Sequence, residues 1–272
     1  MENKRKESPQ FIDRLSILSA VILLSYALIP FVNIPEIRNT WTLFGIQLVF
    51  NINFSTYISI LVPALAAVGT YWLIETHPNH RNDRYPLLHS ILPAVTSWII
   101  GLPFTQVLSA SQSWIVFALE GVLMIVIFIA EYTVVDPNEE RYLIAAGILK
   151  SLSLALFRLL AISVRSAGLR LYVQLPALVI PMILVLLRTF YLQLEGRWLI
   201  SWSFGISLMM GQISIILHYL PISPVIFGLL ETAVLYAAIE FVSSYQQDQN
   251  LRRSLLAPAF IMVFFSLLII IV

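Results

Sequence analysis

The residues best placed to do chemistry in this 272-residue chain are ionisable groups set inside long apolar runs. Glu120, Lys150, Arg158 and Glu231 each interrupt a stretch otherwise dominated by aliphatic and aromatic residues. Carboxylates and cations brought together in such surroundings can bind an ion, relay a proton or hold a polar solute, because low-dielectric walls strengthen each electrostatic contact. Glu131, Arg188 and Glu240 form a second group of this kind, with Glu75 at the edge of its run. A different chemistry is suggested by His77-Pro78-Asn79-His80, followed by Asp83, Arg84 and His89. Two imidazoles three positions apart beside a carboxylate could ligate zinc, and a histidine there could act as a general base on a lipid headgroup. The Pro and Asn inside the motif point instead to a solvated turn, and no helical His-Glu-x-x-His context accompanies it.

What must position these groups follows from composition. The chain is 59% hydrophobic and 11% charged, against roughly 45–50% and about 25% for soluble proteins. Apolar residues gather into blocks of about 20, the length that crosses a ~30 Å hydrocarbon slab as a helix. The blocks lie near 14–32, 54–75, 86–108, 112–134, 138–163, 171–192, 198–219, 221–243 and 253–272. Period-2 alternation is missing, so helices are favoured over a barrel. The expected fold is all-α, a polytopic transmembrane bundle of about nine spans. Leu220-Pro221-Ile222-Ser223-Pro224 is a tight turn between two of the blocks, which leaves eight spans as the alternative. Connections are short, so residues 1–272 read as a single transmembrane domain without a soluble one. The longest, 33–53, holds the aromatic-rich Trp41–Phe50 and reads as a hairpin or short helix in the outer interface.

Orientation follows from the basic residues of the connections. Lys4, Arg5, Lys6, Arg14, Arg81, Arg84, Arg141, Arg197, Arg252 and Arg253 fall on one side, and Arg38, Arg165 and Arg170 on the other. The positive-inside rule then puts the N-terminus in the cytoplasm and Val272 outside, in a cell membrane. Trp41, Trp114, Tyr172 and Tyr219 mark the outer interface, and Trp72, Tyr85, Tyr132, Tyr142 and Trp198 the inner one.

Several features have a local mechanism. Asp136-Pro137-Asn138-Glu139-Glu140 reads as an N-cap, a first-turn proline and dipole-matched acids opening the fifth span. Ser203, Ser207 and Gly211, four apart, form a strip of small residues suited to close helix packing. Gly101-Leu102-Pro103 falls past the middle of the third span, where it predicts a kink or an interrupted helix of the sort that lines transporter sites.

Taking 1.5 Å per residue from each span's centre, Glu120, Lys150 and Glu231 come within roughly 5 Å of the midplane and Arg158 about 8 Å toward the outside. Glu131, Arg188 and Glu240 come about 12 Å toward the cytoplasm. Glu231 and Glu240 are nine residues apart and face nearly opposite ways on one helix. Such charges either pair with each other to fix helix register, or line a hydrated cavity. Three function classes remain: a transporter-like protein for an ion, proton or small polar solute, a non-catalytic subunit or assembly factor among other membrane subunits, and a membrane-embedded lipid-modifying enzyme. No P-loop, Gly-x-Ser-x-Gly or metalloprotease signature is present, which ranks the enzyme last. The net charge of +1 gives no field to attract nucleic acid, and without cysteine there are no thiolate metal sites. No cofactor is expected, and the partners are the lipid bilayer, a small ion or solute, and other membrane subunits.

Overall fold

Apolar runs in this chain close their backbone hydrogen bonds on themselves as helices. The computed structural model describes residues 9–28, 32, 37–43, 46–52, 54–77, 89–104, 110–194, 196–248 and 250–271, with the backbone alone described at 9, in the hairpin, and at 55–56, 100–104, 110–116, 120, 248 and 269–271. Nine helices lie among the described residues. They are α1 (Pro9–Ala27), α2 (Phe54–Ile74), α3 (Ile91–Phe104), α4 (Ala110–Thr133), α5 (Tyr142–Ser166), α6 (Leu171–Gln193), α7 (Ile200–His218), α8 (Pro224–Asp248) and α9 (Leu251–Ile271). Seven of these, α1, α2 and α5 to α9, are long and apolar enough to cross a membrane. Between α1 and α2 the chain forms an antiparallel hairpin, β1 (Ile37–Leu43) and β2 (Ile46–Ile52), registered from Ile37 opposite Ile52 to Leu43 opposite Ile46. The fold is therefore helical with one two-stranded addition, at a segment rich in Ile, Thr, Trp, Val and Phe, which suit a pleated surface.

One expectation needs correction and another falls at the edge of the described residues. Within the third block, 86–108, the described helix is α3, with 14 residues and a length of about 21 Å. Gly101 and Pro103 fall among its last four described residues, and 86–88 and 105–109 lie outside the described residues. The correction concerns the fifth helix, which is not opened by Asp136 and Pro137. Residues 137–141 form turns, with Tyr142 N–H donating to the Glu139 carbonyl at 2.9 Å, and the N-cap is Arg141 with no side-chain cap bond.

The chain divides into two units, Met1–Asp136 and Pro137–Val272. In the first, α1 packs on α2 and α4, and α3 on α2 and α4. Its core draws Phe11, Leu18, Ile22 and Tyr26 from α1 at helical spacing, Val62, Ala66 and Leu73 from α2, and Met124 and Phe128 from α4. Arg14 ties one end, 3.6 Å from Glu75 and 4.6 Å from the centre of the Trp72 ring.

In the second unit α8 is the hub, packed on α5, α6, α7 and α9, while α6 also packs on α5 and α7. Half of the apolar span of α6 and of α8 is buried, against 17% of that of α9, which lies at the margin. Leu154, Phe157, Met182, Leu186, Phe190 and Met210 belong to the core, together with Leu235, Ile239 and Val242 of α8. Ser203, Ser207 and Gly211 are all buried, and a Cβ at Gly211 would sit 3.4 Å from Val179 on α6, so the small strip is a packing face. At Gly228 α8 approaches α5 so closely that a Cβ would meet Ile162 Cγ1 at 2.6 Å and the Arg158 carbonyl oxygen at 3.2 Å.

Candidate functional site

The charged groups of the second unit fall on the faces that helical spacing assigns them. On α5, Lys150, Leu154 and Arg158 follow one another at four-residue steps and lie on one stripe with Gly147 and Ser151. Opposite stands α8, which runs antiparallel: Lys150 meets Glu240 at one end of the contact, and Arg158 meets Gly228 at the other. The midpoints of Tyr142–Ser166 and Pro224–Asp248 are residues 154 and 236, so Lys150 and Glu240 each lie four residues from centre and share one level. They form a salt bridge with side chains 16% and 21% exposed. Lys150 Nζ also stands 5.1 Å from the centre of the Tyr236 ring, an arrangement in which the ring face adds to the attraction.

Two clefts meet at Lys150, and Glu240 lines the second of them. One, of about 480 Å³, has α8 as its floor and α5 and α9 as its walls, and runs from Lys150 to Arg158 past Tyr236 and Phe265. The other, of about 1070 Å³, is lined by Glu139, Glu140, Gln193, Glu240 and Ser244. Gly147 and Lys150 line both, and both are open rather than sealed. A Cβ at Gly147 would meet nothing within 4 Å, so the glycine widens the junction. Arg158, at the far end of the first cleft, has a buried Nε–H without an acceptor, and no acid lies within ion-pair distance of it among the described residues.

Other polar groups lie away from the clefts. Glu231 is fully buried on the opposite side of α8, where it accepts a 2.6 Å hydrogen bond from Ser214 of α7. At one end of the bundle, Arg165 donates to the carbonyls of His218 and Leu220, both at 3.0 Å, and the His218 ring lies 2.8 Å from Gln174. These bonds hold the turn Tyr219–Ser223, which separates α7 and α8 as two full helices. In the first unit His89 Nδ1 lies 2.8 Å from Glu131 Oε2, with side chains 2% and 0% exposed.

Of the four residues expected in one midplane layer, three are described with their side chains, all in the second unit. Lys150 and Arg158 share a cleft, whereas Glu231 turns to α7; the side chain of Glu120 lies outside the described residues. Of the second group, Glu240 pairs with Lys150, Glu131 with His89, and Arg188, 1% exposed, stands 5.9 Å from the Tyr191 ring. Of the loop candidates, His77 is buried edge-on against Tyr132 at 4.7 Å, a packing role, while His80, Asp83 and Arg84 lie outside the described residues. Two pairings escaped sequence reasoning. The Lys150–Glu240 bridge was hidden by helix ends misplaced by three to five residues, enough to move a charge by about 5–8 Å. For His89–Glu131 the sequence signals only that a carboxylate inside an apolar helix needs a partner; that His89, near the start of the preceding apolar block, supplies it depends on which helices become neighbours.

Residues 34–272 match the model of a family described as a protein of unknown function (DUF5656). The match starts just before β1 and takes in every element from there to α9. No curated protein and no solved structure matches the chain.

Proposed function

The chain belongs to the DUF5656 family, and since that membership carries no activity with it, we propose from its own residues that it is a transporter-like membrane protein for a small ion or polar solute. In this reading it crosses a cell membrane nine times with its N-terminus in the cytoplasm and its C-terminus outside. The orientation is supported by ten basic residues in the connections of one side against three on the other. Nine crossings require α3 and α4 to cross as well as the seven helices long and apolar enough by themselves.

One observation carries the functional reading: the Lys150–Glu240 bridge lies well inside two apolar helices, at the meeting point of two clefts. Desolvating two ions costs several kcal/mol each, and their mutual attraction recovers that only with good geometry or with water nearby. A bridge used only to set helix register would be cheapest when sealed among side chains. This one borders open volume on both sides, the arrangement expected where a solute exchanges places with a counter-ion. A neutral solute would pass beside the intact pair, and a charged one would compete for Lys150 or Glu240.

Reconstituted protein tests this. Proteoliposomes should show uptake, within a panel of inorganic ions, protons and small polar organic solutes, that Glu240→Gln or Lys150→Met reduces at least tenfold. A well-folded preparation with no flux above empty liposomes for the whole panel would refute it.

A further inference from the structure

We propose that the cleft between α5 and α9 is a binding site for a phosphate-type oxyanion, anchored by Arg158. The proposal deepens the solute-site reading of the same cleft and rests on it. Lys150 and Arg158 are the two cations in the lining, and they differ in one respect. Lys150 has its acid in Glu240, while Arg158 has no acid partner among the described residues and keeps a buried Nε–H without an acceptor. A guanidinium left this way inside an apolar bundle is costly, and an anion seated in the cleft would remove the cost.

The donors and the walls specify the anion. A guanidinium presents a planar fork matched to phosphate or carboxylate oxygens. The hydroxyls of Ser151 and Tyr236 also line the cleft and can donate to further oxygens, whereas Thr232 spends its proton on the Gly228 carbonyl at 2.7 Å. Donors from α5 and α8 spread around about 480 Å³ suit a tetrahedral anion with several oxygens better than a carboxylate with two. The remaining wall is apolar, with Leu154, Ala155 and Phe265. Gly147, Ser151 and Ala155 are exposed along the flank of α5, so the cleft opens sideways. A lipid phosphodiester can enter through such an opening and lay its chains on the apolar wall, and a free phosphate can enter from water.

Equilibrium binding to the full chain in uncharged detergent separates these cases, with native mass spectrometry as the readout. The probes are phosphatidylglycerol, inorganic phosphate, and diacylglycerol as the headgroup-free control. Phosphatidylglycerol or inorganic phosphate should bind, diacylglycerol should not, and Arg158→Gln should weaken binding about tenfold or more, the scale of a charge-assisted hydrogen bond. Ala155→Leu, which fills the cleft and alters no charge, should weaken it as well, and decides the matter if Arg158→Gln fails to fold. Binding of phosphatidylglycerol alone identifies a lipid headgroup as the source, and binding of phosphate alone a soluble anion. Unchanged binding in both variants, or diacylglycerol held as tightly as phosphatidylglycerol, would overturn the proposal. Solute flux with no oxyanion binding would sink this inference and leave the solute path standing, and binding without flux would do the reverse.

Discussion

Breaking the Lys150–Glu240 bridge from either end should have unequal costs. Lys150→Met leaves Glu240, 21% exposed at the edge of the cleft it lines with Glu139 and Glu140, with no other cation within ion-pair distance among the described residues. Stranding a buried charge costs roughly 3–5 kcal/mol, and partial exposure puts this case at about 3 kcal/mol. Glu240→Gln leaves a softer deficit, because Lys150 keeps the Tyr236 ring 5.1 Å away. A desolvated cation–π contact is worth about 1–2 kcal/mol, which brings the cost of losing Glu240 down to about 1.5 kcal/mol. The double variant strands no charge and should cost no more than about 2 kcal/mol, which implies a coupling of about 2–3 kcal/mol. Reversible unfolding of detergent-solubilised protein, followed by far-UV circular dichroism and Trp fluorescence, measures all three. Additivity within about 0.5 kcal/mol would show that the two side chains do not interact. A larger loss for Glu240→Gln than for Lys150→Met would refute the role given to Tyr236.

The same measurement bears on other sites. Gly228→Ala places a methyl 2.6 Å from Ile162 Cγ1 and 3.2 Å from the Arg158 carbonyl, and should cost about 1–3 kcal/mol by overpacking. Gly205→Ala, where a Cβ meets nothing within 4 Å, should instead stabilise α7 by about 0.5–1 kcal/mol. Arg165→Gln withdraws the donors to the His218 and Leu220 carbonyls, and hydrogen exchange of the amides in 219–223 should quicken while the middle of α8 stays protected. His89→Ala removes the partner seen on Glu131 Oε2 and should lower the stability of the first unit by about 1–3 kcal/mol.

Helix number and position were largely legible in the residues, because a hydrocarbon-length apolar block has few other ways to satisfy its amides. The face of each charge was legible too: Glu231 and Glu240, nine apart, turn to α7 and α5 respectively. Depth was harder to read. Helix ends depend on turns such as 137–141, where acidic and proline residues that look like a cap form turns ahead of the helix, and an error of four residues moves a charge about 6 Å. That is why sequence spacing alone puts Lys150 and Glu240 in separate layers. Pairings across long separations, such as His89 with Glu131, depend on which helices become neighbours, and no local pattern encodes that. Clefts lie further from the sequence still, since they exist where α5 and α9 share α8 without filling the space between them.

The central claim is that α5 crosses lipid with one wet, charged stripe. The chain has no cysteine, so single substitutions along α5 each introduce the sole thiol. In intact proteoliposomes a charged, impermeant thiol reagent should label Gly147→Cys, Ser151→Cys and Ala155→Cys, on the cleft, and spare Ile148→Cys and Leu159→Cys on the exposed apolar stripe beside it. Equal labelling at all five positions would mean that α5 lies in water, and silence at all five would mean that the cleft is dry; either result would contradict the claim.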